Sequence, residues 1–538
     1  MKKVIIAGYY GFENVGDDVI LASMIKDLKN EISDIKIVVL SNNPSATKEQ
    51  YDVDCLLWRN YNCVYAEIKD CDLLIVGGGG LYNCYLDYPA NRMLDIGHEY
   101  FGVFIFGLPI VAALNDVPCM IFGVGASPTR NDDALNDMGL GLSCADVITV
   151  RDEGTGNIFK MLPGCAALDI KVTADPAFRI DDNIYFNLRK YLGEDKPLIA
   201  PIIGISLRNW EFYGNEHDTV SAVAYAINQF VGEFGGTVIF LPFDNGGVVG
   251  ELSTDKLIFE KVISQLNDIV KYFHITQYID PNDASALVAS CDIAVMMRLH
   301  AVILSIKNGV PHVALKYDEK VLNILKDNKL DNLCFDLQGI EGEALYKKLV
   351  SIWDDRFVLK EKLISVSKSL NEKALQNSKY AVELLLNKKN RNKFQNNERL
   401  AAFIYARQKK EFVKTVYNET FIENILNAIR KLINNGQYKE VVEKFGSDLR
   451  IMHYNPEMTY LVALAHHVAG DKQYSLECYD LALKLMYPEF WVRYNRGALY
   501  MTLMRYDEAL IDLEKACVID VENADATALL EKLKLRMN

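Results

Sequence analysis

The sequence predicts an α/β protein in which two parallel sheets follow one another along the chain and an all-helical part comes last. From residue 1 to about 380, short β-branched runs alternate with amphipathic helical patterns. After residue 420 the apolar residues have helical spacing only. A chain of 538 residues is also longer than one hydrophobic core usually serves. Two or three domains are therefore expected.

The predicted strands form two series, each typical of a parallel sheet covered by helices. The first series lies at residues 4–7, 35–40, 73–76, 119–123 and 147–150. The second lies at residues 203–207, 238–241, 272–276, 293–296, 312–315 and 332–335. We therefore expect two Rossmann-like domains, at residues 1–190 and 191–380, that face one another across a cleft. Ligands of such sheets bind beyond the carboxyl ends of the strands.

In the C-terminal part, positions that carry small, apolar or aromatic residues line up at a spacing of 34. The matching positions are Ile429, Ala463 and Gly497; His466 and Tyr500; Val441, Ser475 and Ala509; Ala482 and Ala516. This pattern resembles the tetratricopeptide repeat, in which small residues let paired helices approach closely. We expect a helical linker at 381–419 and a repeat domain at 420–538 that ends in a capping helix. An unrelated helical bundle is the alternative.

Composition excludes several classes of protein. The formal net charge of −14 argues against a nucleic-acid binder, which needs a basic face. The 11 cysteines include no Cys-x-x-Cys pair and no zinc-ligand spacing, so no metal is expected. No apolar run reaches the length of a transmembrane span, and the run after Lys3 is too short for a signal peptide. We expect a cytoplasmic protein, with association at the inner face of the membrane left open.

The most informative segment is Met297-Arg298-Leu299-His300, which lies between a predicted buried strand and a helix. The backbone amides of a first helical turn are unpaired, and the helix dipole is positive there, so this position suits an anion. The alternative is structural, because an arginine at a strand end often pairs with a carboxylate and a lone histidine is often packed.

Two glycine-rich loops follow predicted strands. The first, Gly8 to Asp18, contains Gly11, Asn14 and Gly16 and opens a helix that Asp17 could cap. The second contains Gly78, Gly79 and Gly80. Neither loop matches Gly-x-Gly-x-x-Gly, and neither has a Walker lysine, so no nucleotide cofactor is expected.

Further candidates end other predicted strands, at Gly125, Arg151, Asp175, Arg208 and Lys320. Each basic residue on its own is most often the partner of a surface ion pair. In the two-domain prediction, however, Arg208, Arg298 and Lys320 converge on one cleft.

Taken in order, these motifs make residues 1 to about 370 similar to the polysaccharide pyruvyl transferase family. The matching segments are G-Y-Y-G-x-x-N-x-G-D-D, G-G-G-G-L, V-R-D-E, the D-P segment, I-S-L-R, R-L-H-A, G-V-P and Y-D-x-K. Two departures, at Tyr82-Asn83-Cys84 and Gly125-Ala126-Ser127, leave the acceptor open. The resemblance implies two facing domains similar to the GT-B glycosyltransferases. It also implies transfer of pyruvate from phosphoenolpyruvate to a sugar, as a ketal across two hydroxyls.

On this hypothesis His300 transfers the proton, and Arg298 and Lys320 hold the donor anion. The substrate-binding residues are then Gly8, Gly11, Asn14, Gly16, Asp17, Gly78, Gly79, Gly80, Gly125, Arg151, Arg208 and Leu299. The expected substrates are phosphoenolpyruvate and a glycan or lipid-linked glycan, with no cofactor. We expect the repeats at 420–538 to recruit a protein partner or to mediate self-association.

Two other functions stay open at this stage. A nucleotide-sugar glycosyltransferase of GT-B architecture has a donor domain with a similar helix and strand near Gly309-Val310-Pro311. Alternatively, the repeats are the working surface of an interaction protein, and the α/β part is a degenerate enzyme.

Overall fold

The computed structural model describes residues 1–84, 88–89, 93–94, 100–183, 185–193, 197–208, 216–245, 255–386, 419–445, 456–484, 487–521 and 523–537. The chain forms two compact units, residues 1–393 and 394–538. The first unit contains both sheets, and the second is helical in all the elements described.

The first sheet has seven parallel strands in the order β3-β2-β1-β4-β5-β6-β7. They are β1 (Lys2–Ala7), β2 (Ile35–Ser41), β3 (Asp54–Leu57), β4 (Leu73–Gly77), β5 (Cys119–Val124), β6 (Val147–Val150) and β7 (Ile170–Val172). The helices between them are α1 (Val15–Glu31), α2 (Pro44–Tyr51), α3 (Tyr61–Lys69), α4 (Phe101–Leu114), α5 (Asp132–Ser143) and α6 (Glu153–Met161).

The second sheet has six parallel strands in the order β10-β9-β8-β11-β12-β13. They are β8 (Ile202–Ser206), β9 (Thr237–Phe240), β10 (Lys271–His274), β11 (Ile293–Met296), β12 (His312–Lys316) and β13 (Cys334–Asp336). The helices are α7 (Arg189–Leu192), α8 (Glu216–Phe234), α9 (Asp255–Ile263), α10 (Pro281–Ala289), α11 (Leu299–Lys307), α12 (Glu319–Asp327) and α13 (Gly342–Asp354). Short 3₁₀ helices span Pro176–Arg179 and Asp331–Leu333.

Both predicted strand series are present, and the structure adds β3 and β7, which the sequence reading missed. The central strands were readable because both of their faces are covered, which makes them continuous apolar runs. In contrast, β3 and β7 lie at the edges of the sheet and have no fully buried residue. The last predicted strand was displaced, because residues 331–333 form a 3₁₀ helix and β13 begins at Cys334.

Strand order reverses between β1 and β4 in the first sheet and between β8 and β11 in the second. Such a reversal opens a crevice at the carboxyl ends of the strands, because the flanking connections run to opposite faces of the sheet. The two crevices contribute side chains to one cavity. The predicted pair of Rossmann-like domains in a GT-B-like arrangement is therefore confirmed.

A long helix, α14 (Arg356–Leu386), returns from the second sheet to the first. The buried Asn377 of α14 accepts a hydrogen bond from Thr173 at 2.7 Å and donates one to the carbonyl of Ala174 at 3.0 Å. One hydrophobic cluster runs from Val4 in β1 to Leu385 in this helix. The predicted domain limit at residue 380 falls inside α14, and the exact domain limits stay predictions.

The second unit contains α15 (Glu419–Asn434), α16 (Tyr438–Phe445), α17 (Pro456–Ala469), α18 (Lys472–Lys484), α19 (Glu489–Thr502), α20 (Tyr506–Ile519) and α21 (Ala524–Met537). The predicted all-α part is therefore present. At Gly497 in α19, an added Cβ would meet Leu513 of α20 at 2.8 Å, which is the close approach expected of a small residue in a helical hairpin. The tetratricopeptide identity and the recruiting role stay predictions.

The part of the predicted linker at 387–418 lies outside the described residues. In the portion of the chain that the structure describes, no helix combines the length and the apolar character needed to cross a membrane.

Candidate functional site

Two strand-to-helix turns, after β1 and after β11, form the centre of the site. Helix α1 begins at Val15, and the Asn14 side chain accepts hydrogen bonds from the backbone N–H groups of Gly16 at 3.1 Å and Asp17 at 3.4 Å. The prediction that Asp17 caps this helix is therefore wrong. Asn14 precedes the first helical residue and has the extended backbone that a cap requires, whereas Asp17 already lies in the first turn.

A short backbone pairing holds the first turn against the second sheet. Val15 donates its N–H to the carbonyl of Phe243 at 2.9 Å, and Asn245 donates to the carbonyl of Glu13 at 3.3 Å. Asn14 and Asp244 form an antiparallel bridge between these two bonds. The loop that follows β9 therefore reaches the turn that follows β1.

The cavity has a volume of about 560 Å³. Sequence-predicted residues that line it are Asn14, Asp17, Gly80, Arg151, Arg208, Arg298, Leu299, His300 and Lys320. The structure thus brings together residues from both sheets that are up to 306 positions apart, from Asn14 to Lys320. Residues 209 and 210, which directly follow Arg208, lie outside the described residues.

The remaining predicted glycines lie close behind these side chains. A Cβ added at Gly16 would overlap the imidazole of His300, and one added at Gly79 would overlap the carboxylate of Asp17. At Gly125 it would overlap the guanidinium of Arg151. Gly8, Gly11 and Gly78 lie against Tyr10, Ser41 and Ile20. The structure therefore explains these glycines by the room they leave for other residues, and their contact with a substrate stays a prediction.

His300 is the second residue of α11 and is mostly buried. Its Nε2 lies 3.7 Å from Oδ2 of Asp175, which is within ion-pair distance but too long for a hydrogen bond. Among the residues that the structure describes, this nitrogen has no hydrogen-bond partner. An imidazole nitrogen in this state, in the wall of a cavity, is well placed to exchange a proton with a ligand.

Asp175 also forms an ion pair with Arg151. Nη1 of Arg151 lies 3.2 Å from Oδ2 of Asp175, and both side chains are almost fully buried. Burial alone would raise the pKa of Asp175, but His300 and Arg151 outweigh it and lower the pKa below its usual value. Asp175 is therefore an anionic group that fixes Arg151 and faces the ring of His300.

Asp17 is a second carboxylate near His300, and it lines the cavity. Burial raises its pKa to about 6, opposed by His300 and increased by the nearby charge of Asp175. The carboxyl group is therefore partly protonated near neutral pH and can both accept and donate a proton.

Arg298 lies in the wall as predicted, but its charge is already matched by carboxylates of the protein. Its Nε lies 3.0 Å from Oδ1 of the buried Asp255, Nη2 also contacts Asp255, and Nη2 lies 3.0 Å from Oδ2 of Asp244. Burial would lower the pKa of Arg298, but these two carboxylates raise it. Asp255 also accepts the N–H groups of Phe243 at 2.9 Å and Asp244 at 3.1 Å. The group therefore anchors the loop after β9.

Lys320 and Arg208 both lie close to the ring of Tyr317, a residue that the sequence alone does not single out. The Lys320 ammonium lies 5.0 Å and the Arg208 guanidinium 5.2 Å from the centre of the ring. Burial would raise the pKa of Tyr317, yet Lys320, Arg208 and Arg298 together lower it. The field of these cations thus exceeds the effect of burial, which makes this wall attractive to an anion.

Tyr9, Asp244 and Tyr317 are site residues that the sequence alone does not single out. All three follow predicted strands, so their position carries a signal, but nothing in their spacing shows which side chains face the cavity. Among the described residues, no group of three or more His, Cys, Asp or Glu side chains is arranged to hold a metal ion.

Solved structures with a similar fold include the UDP complex of MnaA from S. aureus, at 12% identity, with 72% of this chain and 97% of that chain covered and a TM-score of 0.46. Another is the UDP-GlcNAc 2-epimerase of Neisseria meningitidis bound to UDP-GlcNAc, at 12% identity, 72% and 100% coverage and a TM-score of 0.44.

A curated relative is the amylovoran biosynthesis protein AmsJ of Erwinia amylovora. It is 19% identical over 429 residues, which cover 71% of this chain and 99% of AmsJ. The family model described as polysaccharide pyruvyl transferase matches residues 14–319, a range that runs from the cap of α1 to the start of α12. This range begins at the end of the turn after β1 and includes the turn after β11 and most of the cavity wall, and the chain belongs to the polysaccharide pyruvyl transferase family.

Proposed function

We propose that the protein transfers pyruvate from phosphoenolpyruvate to a sugar of a cell-surface or exopolysaccharide precursor in the cytoplasm and forms a pyruvate ketal. The observation that carries this proposal is the grouping of Lys320, Arg208 and Tyr317 in the same cavity wall as His300. Family membership supports pyruvyl transfer. The identity of the donor and the ketal linkage are part of this proposal.

The donor needs cationic and amide groups, because phosphoenolpyruvate carries a phosphate and a carboxylate. Lys320 and Arg208 supply two cations, and the first turn of α11 supplies backbone N–H groups. Arg298 occupies the cap position of α11, and its guanidinium has no acceptor atom for those N–H groups. We therefore assign donor binding to Lys320, Arg208 and the α11 amides, and a positioning role to Arg298.

The reaction needs an acid that protonates the methylene carbon of phosphoenolpyruvate and a base that removes a proton from the sugar hydroxyl that adds to C2. His300 protonates the methylene carbon, so that positive charge develops at C2 and a first sugar hydroxyl adds to it while losing its proton. The C2–oxygen bond to phosphate then breaks, phosphate leaves with the electron pair, and a second hydroxyl closes the ketal. One hydroxyl proton balances the proton given to carbon, and the other leaves with phosphate. Asp17, with its raised pKa, is the candidate base.

Ligand-induced stabilisation tests the donor. Phosphoenolpyruvate should raise the melting temperature of the intact protein, because a ligand that binds only the folded state stabilises it. Lys320→Ala should lose this shift. Lys316→Ala is the matched control, since Lys316 ends β12 in ion pairs with Glu319 at 2.8 Å and Asp336 at 3.4 Å. A shift with UDP or GDP and none with phosphoenolpyruvate would instead favour a nucleotide-sugar glycosyltransferase.

Turnover tests the role of His300. We expect His300→Ala to reduce phosphate release from phosphoenolpyruvate in the presence of acceptor by about 10²- to 10⁴-fold, the usual contribution of general acid–base catalysis. The melting-temperature shift with phosphoenolpyruvate should persist in this variant, since the cations remain. Full turnover in both His300→Ala and Lys320→Ala would refute the proposed mechanism.

A further inference from the structure

The cavity wall also contains aromatic and acidic residues, whose chemistry differs from that of the cationic group. Tyr9, Phe101 and Phe243 line it with aromatic rings, and Asp17 and Asp244 add carboxylates. A cavity of about 560 Å³ falls within the range of about 300–1,000 Å³ that accommodates drug-sized ligands, which are larger than phosphoenolpyruvate. The cavity therefore has room for a second substrate beside the donor.

Tyr9 is held rigidly in this wall. Its ring stacks on Phe12 with the ring centres 4.0 Å apart and the planes 13° apart. Phe101 is nearly perpendicular to both rings, with its ring centre 5.4 Å from that of Tyr9 and 5.6 Å from that of Phe12. Phe12 is almost completely buried, whereas Tyr9 is partly exposed and lines the cavity. Phe12 therefore supports Tyr9 from the protein side, and Tyr9 presents an ordered aromatic surface to a ligand.

The phenol of Tyr9 keeps its proton. Burial raises the pKa of Tyr9, and the nearby charges of Asp244 and Asp17 raise it further. The ring thus offers an apolar face and a hydroxyl that can donate a hydrogen bond. A pyranose has the matching form, with C–H groups on its face and hydroxyls around its rim.

Asp244 adds a fixed acceptor of hydrogen bonds to this group of residues. Asp244 is fixed by Arg298 at 3.0 Å and by its backbone bridge to Asn14. A carboxylate accepts hydrogen bonds from sugar hydroxyls but repels the phosphate and carboxylate of the donor.

We propose that the acceptor is a pyranose that stacks on Tyr9 and donates hydroxyl hydrogen bonds to Asp244. This inference rests on the proposed function, because it names the residues that select the acceptor of the same reaction. Tyr9 and Asp244 come from the first and the second sheet respectively, so the acceptor spans both halves of the unit.

The experiment uses the full chain, phosphoenolpyruvate and a panel of methyl pyranosides with gluco, galacto and manno configurations. At least one pyranoside should stimulate phosphate release by the unaltered protein. Tyr9→Ala should raise the KM for that pyranoside about tenfold, the loss expected for one aromatic contact, and leave the dissociation constant for phosphoenolpyruvate unchanged. Tyr9→Phe should retain most of the acceptor affinity. Tyr185→Ala, at a tyrosine that is 87% exposed, is the control.

Different failures have different meanings. If Tyr9→Ala does not fold, Tyr9→Leu replaces it, since leucine has similar bulk but no ring face. An unchanged KM in the folded variant overturns the proposal. If phosphoenolpyruvate binds but no pyranoside stimulates phosphate release, the acceptor assignment fails and the donor assignment stands. If phosphoenolpyruvate itself does not bind, the proposed function fails.

Discussion

The turns after β1 and after β11 occupy comparable places in their two sheets but use the start of the following helix differently. In α1 the Asn14 side chain accepts the N–H groups of Gly16 and Asp17, so the helix start is closed by the protein. In α11 the cap is Arg298, for which the described residues show no side-chain cap hydrogen bond. Since that side chain has only donors, the amides of this turn are left to other acceptors. One turn thus completes the fold, and the other is suited to bind an anion.

The two turns also differ in the charge of the side chains that they bring to the cavity. The turn after β1 brings Asp17 to the cavity, whereas the turn after β11 brings Arg298 and His300. The two turns also contact one another, because His300 packs on Gly16 and the Asn14–Asp244 bridge connects the two halves. Each turn therefore depends on the other for its geometry, and this dependence can be broken at single residues.

The largest expected effect comes from Gly16→Ala. The added Cβ would overlap the imidazole of His300, so the ring must move or α1 must shift. A displacement of about 1 Å at a reacting group can cost about 100-fold in rate, so we expect a loss of that order in kcat with little change in phosphoenolpyruvate binding. Gly232→Ala is the matched control, because nothing lies within 4 Å of an added Cβ there. Normal turnover by Gly16→Ala would show that the contact between the turns is unimportant.

The sequence predicted the positions of these turns but not their connections. Arg298 and His300 were found because a buried apolar strand directly precedes them. The partners of Arg298 were missed because Asp255 lies 43 positions earlier, on α9, and the sequence offers no sign that this helix start faces β11. The sequence also predicts the structural alternative for Arg298, an ion pair with a carboxylate, and the structure shows such a pair with Asp255.

The role of Asp17 was misread for a local reason. Asn14 and Asp17 are both good cap residues, and the choice between them depends on which residue has an extended backbone before the first helical turn. The backbone of Asn14, at φ −96° and ψ 103°, satisfies that condition, so α1 begins at Val15 and Asp17 is free to face the cavity. The spacing of apolar residues alone does not fix a helix start to within three positions.

An intermediate effect, on stability, is expected from Asp255→Ala. The variant removes the buried partner of Arg298 and the acceptor for the N–H groups of Phe243 and Asp244. Breaking one partner of a buried ion pair costs about 3–5 kcal/mol in the free energy of unfolding, because a charge is left buried. Urea unfolding measures this cost, with Asp268→Ala at an exposed aspartate as the control. A cost below about 0.5 kcal/mol, as for an ordinary surface substitution, would contradict the anchoring role of the pair.

The smallest expected effect is on the pH dependence of stability, and it comes from Asp18, which follows Asp17 in the first turn of α1. Asp18 is 4% exposed, and its Oδ2 accepts a hydrogen bond from the Tyr278 hydroxyl at 2.6 Å, which links α1 to the segment before α10. Burial raises the pKa of Asp18 to about 7, opposed by this bond and increased by Asp17. Because the folded state holds the proton more tightly than the unfolded state, stability falls as the pH rises from about 4 to about 7 and then stays level.

Asp18→Asn removes this pH-dependent cost and keeps an oxygen that can accept the Tyr278 hydrogen bond. We therefore expect the variant to be more stable than the unaltered protein at pH 8, by on the order of 1–4 kcal/mol, and to differ little from it at pH 4.5. Thermal unfolding at the two pH values measures the difference. If the amide instead destabilised the protein equally at both, the geometry of the Tyr278 bond would outweigh the buried charge. Destabilisation at pH 8 alone would show that the link between the two halves depends on an ionised Asp18.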